Sequence, residues 1–63
     1  MFNVYIEMPL GNRSKPREFA EEADARKVFD SFVGQMRPWK KFKAEVILTA
    51  DGQMLAREGI DNA

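Results

Sequence analysis

Residues 42–58 read FKAEVILTADGQMLARE, and the fold depends on how this stretch is divided. Phe42, Ala44, Val46 and Leu48 alternate with Lys43, Glu45, Ile47 and Thr49. This period of two sends successive side chains to opposite faces of a strand. Asp51-Gly52 follows, and glycine takes a positive φ without a Cβ clash, so such a pair between apolar runs is a strong hairpin signal. Gln53–Glu58 is then the returning strand. Two registers fit. A three-residue loop, Ala50 to Gly52, pairs Thr49 with Gln53 and turns Met54 and Ala56 inward beside Leu48 and Val46. A two-residue loop turns Leu55 and Arg57 inward, which buries a charge with no partner, so the three-residue loop is preferred. Gly59–Ala63 reads as a loosely held tail.

Upstream of the hairpin lies a helical period. From about Glu21 to Met36, Ala25, Phe29, Phe32 and Met36 recur at spacings of four, three and four, flanked by Val28 and Val33. Glu18, Glu21, Glu22 and Asp24 gather at its start, where the positive end of the helix dipole favours carboxylates. They need no metal to explain them. Gly34 and Pro38 mark its end. At the N-terminus, Phe2, Val4, Ile6 and Met8 alternate with Asn3, Tyr5 and Glu7, which makes a first strand. Pro9, Gly11, Asn12, Ser14 and Pro16 then form a loop carrying Arg13, Lys15 and Arg17. Arg17–Phe19 is a weaker candidate for an extra strand folding back on the first.

These elements give one α+β domain over residues 1–63, in the order β-α-β-β: a three-stranded sheet with one helix packed on one face. The expected core is Phe2, Val4, Ile6, Phe29, Phe32, Val46 and Leu48. The first strand has two possible neighbours. Beside the last strand it would give an antiparallel sheet; beside the Phe42–Ala50 strand it would give a parallel pair.

Composition excludes several functions. The chain has 63 residues, no cysteine and no histidine, so disulfides, structural zinc and the usual general base are all missing. Ser14 and Ser31 have no activating context, and Gly11 and Gly34 do not make a phosphate loop. No catalytic residue, cofactor or metal is expected, and the reading is non-enzymatic. Ten basic and ten acidic residues cancel, which argues against a dedicated nucleic-acid or membrane-surface protein. No apolar run reaches the ~20 residues that span a bilayer, and the opening residues do not form a signal sequence, so a cytoplasmic location is expected.

Two functional readings survive. A domain of this size buries only about 60% of the surface its unfolded chain exposes, and without disulfide or metal it gains most from association. The sheet face away from the helix is expected to display Tyr5, Ile47 and Leu55 within a rim of Asn3, Glu7, Lys43, Glu45, Thr49 and Arg57. This would be an interface centre, with Trp39 as a hot spot for another partner. That reading is a homodimeric protein-binding module, regulating or inhibiting a larger protein. The alternative uses Arg37, Trp39, Lys40, Lys41 and Lys43, together with Phe42, to bind single-stranded nucleic acid through phosphate neutralisation and base stacking. A strand-helix-strand crossover would put the Arg13, Lys15 and Arg17 loop at the opposite end of the sheet from this segment.

Overall fold

The alternation of the first residues and of residues 42–50 produces two strands that lie side by side at the centre of one sheet. The computed structural model describes residues 1–62. Its elements are β1 (Phe2–Glu7), β2 (Arg17–Phe19), α1 (Glu22–Met36), β3 (Phe42–Ala50) and β4 (Gln53–Asn62). The sheet has four strands in the order β2-β1-β3-β4, every pair antiparallel. One helix packs on one face, as the helical period predicts.

The fourth strand corrects the expected three. Arg17, Glu18 and Phe19 pair with Val4, Asn3 and Phe2, so the chain reverses before it enters the helix. That reversal also decides the strand order. β1 lies beside β3 and runs antiparallel to it, with Val4 opposite Leu48 and Ile6 opposite Val46. It is neither antiparallel to the last strand nor parallel to β3, the two arrangements the sequence left open.

The β3–β4 hairpin departs from the preferred register. Asp51 (φ 50°) and Gly52 (φ 83°) both have positive φ and form a two-residue turn, closed by Ala50 opposite Gln53, the geometry that matches strand twist. Thr49 then faces Met54, and the register slips so that Leu48 faces Ala56. Leu55 is the extra residue of this bulge. The slip keeps Arg57 out of the core without a longer loop, and turns Ala56 inward while leaving Met54 on the outer face, exposed. The residues read as a tail continue β4: Ile60 faces Ala44 and Asn62 faces Phe42, because Phe42–Ala44, ahead of the stretch that pairs with β1, would otherwise have no partner. Ala63 lies outside the described residues.

Val4, Val46, Leu48 and Ile60 from the sheet meet Ala25, Val33 and Met36 from α1 in the buried core. Phe2, Ile6, Phe29 and Phe32, expected in the centre, are half-buried around it. The aromatic rings flank a small aliphatic centre because a single helix is too narrow to cover four strands. Glu22 and Asp24 occupy the first turn of α1, where the dipole favours them. The helix runs through Gly34 to Met36.

A candidate recognition surface at one end of the sheet

The early reversal at β2 changes what lies at each end of the sheet. β1 and β4 finish, and β3 begins, at the same end: Glu7 faces Glu45, and Phe42 faces Asn62. The loop after β1 and the segment after α1 therefore come together. The expected separation of the two basic groups is overturned, because the crossover starts from β2 and not from β1.

The loop after β1 is ordered by its own backbone. Gly11 donates to the Met8 carbonyl at 3.0 Å, closing a turn with Pro9 in its second position, and Met8 donates to the Asn12 carbonyl at 2.7 Å. Pro9 fixes φ for that position and Gly11 takes φ 85°. Ser14 ties the loop base: its N–H donates to the Ile6 carbonyl at 2.8 Å, and its Oγ accepts from the Ile6 N–H at 2.9 Å. The turn holds Leu10 away from the protein at 90% exposure. An apolar side chain so displayed on a hydrogen-bonded turn gains nothing for the fold.

Across from it, α1 ends under the side chain of Asn62. Its Nδ2 lies 2.7 Å from the Arg37 carbonyl oxygen, 2.8 Å from that of Trp39 and 3.2 Å from that of Met36. Two amide protons thus serve three acceptors, including carbonyls that helix termini leave without partners. Arg37 donates to Glu58 at 2.9 Å. Trp39 meets Phe42 edge to face at 5.0 Å between centroids but stays 50% exposed. It therefore caps the half-buried Phe42 while leaving much of its own ring free.

Between loop and sheet lie two shallow hollows that share Met8, Pro9 and Lys43. One, of about 400 Å³, runs over the outer face beside Glu7, Glu45, Gly59 and Asp61. The other, of about 510 Å³, is bordered by Phe42, Lys41 and Asn62. Several charges here are matched within the chain: Arg13 with Glu7 at 3.4 Å, Lys43 with Asp61 at 3.8 Å, and Arg57 with Glu45. Lys15, Arg17, Lys40 and Lys41 have no carboxylate within 4.0 Å among the described residues. The end is thus an apolar set, Met8, Pro9, Leu10, Trp39 and Phe42, with the unmatched Lys40 and Lys41 beside it, while the Arg17 guanidinium stands 5.9 Å from the centroid of Phe19, which pairs with Phe2 toward the other end.

The outer face looks different from its sequence reading. Ile47 is only 2% exposed, held between Tyr5 and Arg57 directly across and Glu45 and Thr49 along its strand. The Arg13 guanidinium stands 5.4 Å from the centroid of the Tyr5 ring. Tyr5 is half-buried, and Leu55 is exposed at the bulge near the far end. Tyr5, Ile47 and Leu55 therefore do not form one exposed centre. Leu10 was missed in the sequence because it sits among loop-forming residues, and exposure on a turn leaves no periodic signal.

Among the described residues no cluster of acidic side chains is arranged to hold a metal ion, and no helix is long and apolar enough to cross a membrane. Comparison with protein-family models, curated proteins and solved structures gave no match.

Proposed function

We propose that the protein is a non-enzymatic protein-binding module that docks a partner at the end of the sheet formed by the 8–11 turn and the Trp39–Phe42 segment. The observation that carries this reading is Leu10, almost fully exposed on a turn already ordered by hydrogen bonds. Ordering a loop on binding weakens affinity, and this turn is ordered beforehand. Exposed Trp39 provides the aromatic anchor typical of interface hot spots. Lys40 and Lys41 beside it suit a partner segment that is apolar at its centre and acidic at its edge. Regulation or inhibition of a larger protein is the role a module of this size fulfils by such docking.

The test is affinity capture from cells with the wild type, Leu10→Asp and Trp39→Ala. Leu10 lies outside the core, so Leu10→Asp is expected to melt with wild type, while Trp39→Ala also removes the contact with Phe42 and is expected to melt several degrees lower but still cooperatively. The expected result is a protein retained by the wild type and lost, by at least about tenfold, with either variant. An identical set of captured proteins for all three overturns the reading.

A second reading, single-stranded nucleic-acid binding by Arg37, Trp39, Lys40, Lys41 and Lys43, gains support from the loop that carries Arg13 and Lys15 lying at the same end of the sheet. Against it stand Glu7, Glu45 and Asp61, which line the neighbouring hollow and already match Arg13, Arg57 and Lys43, leaving those cations less available to phosphate. A mobility shift of a single-stranded oligonucleotide at low salt, lost with Lys40→Glu and Lys41→Glu together, would favour this reading over protein docking.

A further inference from the structure

The two edges of the sheet are built differently. β2 has three residues and follows Pro16, so it offers a partner strand almost nothing. β4 has ten, without proline or lysine, and its charges, Arg57, Glu58 and Asp61, are of both signs. Beyond the Leu55 bulge, Ala56–Asn62 runs in regular register along β3, and among the described residues no strand pairs with its other side. In its middle sits Gly59, whose φ is not positive and whose missing Cβ would meet no atom within 4 Å. Neither a turn nor internal packing requires glycine there. Glycine within a strand weakens it and marks places where another backbone comes close.

We propose that β4 is a homodimer interface, in which two copies pair antiparallel about a two-fold axis at Gly59 and continue one sheet across both chains. A two-fold axis perpendicular to the sheet keeps each face on its own side, so outer-face residues 57, 59 and 61 oppose one another. An axis at Arg57, Glu58 or Asp61 sets a charge against its own copy, which is unfavourable in a directly opposed pair. An axis at Ile60 shortens the overlap and pairs no charges. An axis at Gly59 uses the whole run from Ala56 to Asn62 and sets Arg57 of each chain against Asp61 of the other, twice, with no like charges opposed. This dimer goes beyond the docking proposal and uses the free edge of β4, which adjoins the docking end at Gly59 and Asp61 without including Leu10 or Trp39.

The chain has no cysteine, so Gly59→Cys introduces a single reporter. Directly opposed antiparallel residues have Cα atoms about 4.5 to 5.5 Å apart, within disulfide reach. Sedimentation of the wild type should find a dimer whose fraction rises with micromolar concentration. Under mild oxidation Gly59→Cys should cross-link at least about tenfold faster than Gln35→Cys on the exposed helix surface, because the paired thiols have a high effective concentration. Arg57→Asp and Asp61→Arg, confirmed as folded by circular dichroism, should each be monomeric alone and should associate when mixed, since only the mixed pair opposes unlike charges. A wild-type monomer throughout the range overturns the proposal. So does a dimer that cross-links equally at both positions, or a mixture no more associated than its components. Partner capture through Leu10 and Trp39 is read separately, so either proposal can fail without the other.

Discussion

Ile47 and Leu48 are consecutive residues of β3, both almost inaccessible to water, yet they are covered by different means. Leu48 points to the helix side and is enclosed by α1 and the neighbouring strands. Ile47 points to the side with no helix, where Tyr5 and Arg57 flank it and the Arg57–Glu45 pair lies over the same face. The first cover is a packed layer. The second is made of side chains that lay their apolar stems along the sheet and keep their charged heads in water. A one-layer sheet can therefore bury an aliphatic residue on its open side without a partner, so an apolar residue there need not mark an interface.

The largest expected effect separates these two kinds of burial. Val46→Lys places an ammonium in the dry layer beneath α1. The cost of an unpaired buried charge rivals the roughly 3 to 9 kcal/mol that stabilises a chain of this length. Circular dichroism should find no cooperative melt. Ile47→Lys, one position along, should retain one, because its stem can lie where isoleucine lay while its head reaches water. The loss should stay near the transfer value of isoleucine, about 1.5 to 3 kcal/mol. If both variants unfold alike, the distinction between the two covers fails.

A smaller effect tests how the helix is held over its face. Asn62→Ala leaves the carbonyls of Arg37 and Trp39 without their donor and should cost about 1 to 2 kcal/mol in denaturant titration. Trp39 emission should shift red as the segment loosens. An unchanged spectrum and midpoint would mean that the helix end is held by the core alone.

The smallest effect belongs to the hairpin tip, which neither cover reaches. The N-terminal ammonium sits 2.8 Å from Asp51, and by hydrogen bonding first, then by charge, it holds that carboxyl below its ordinary value. A depressed carboxylate adds stability above its unfolded pKa and loses it as pH falls through the folded one. Here both partners are exposed, and solvent screens the pair. Asp51→Asn, which suits positive φ equally well, should leave the melting temperature unchanged from neutral pH down through the carboxylate range. A clear drop at neutral pH would show that the tip contributes to the fold.

Much of this architecture was legible in the sequence. β1, α1 and β3 each carry a period sustained over several residues, and period is what a local reading detects. β2 has three residues, too few to display one, and its existence depends on Phe2–Val4 lying alongside. Arg17–Phe19 was therefore legible only as a weaker candidate strand, with the bounds that β2 has, and leaving it out of the expected sheet also lost the direction of β1 relative to β3 and the meeting of the two basic segments. The slip at Leu55 escaped for a similar reason, since a bulge reconciles a turn with a core on another part of the strand. Gly59, Asp61 and Asn62 resemble the end of an element, and only the length of β3 requires them to be a strand. At the candidate site, Trp39 and the lysines were conspicuous by type. Leu10 was not, because its role comes from where a turn points it.

The position of β1 carries a further consequence, for the order in which the molecule assembles. It is the first strand of the chain, yet it ends up between β2 and β3. Its pairing with β2 needs only the closure of a local loop. Its pairing with β3 must await the helix and both its connections, and closing so long a segment costs more chain entropy. The β3–β4 hairpin, by contrast, can form on the order of 1 to 10 μs. During synthesis β1 emerges early and keeps one edge unpaired until the chain has reached Ala50, so the strand at the centre of the finished sheet is the one that waits longest for its second neighbour.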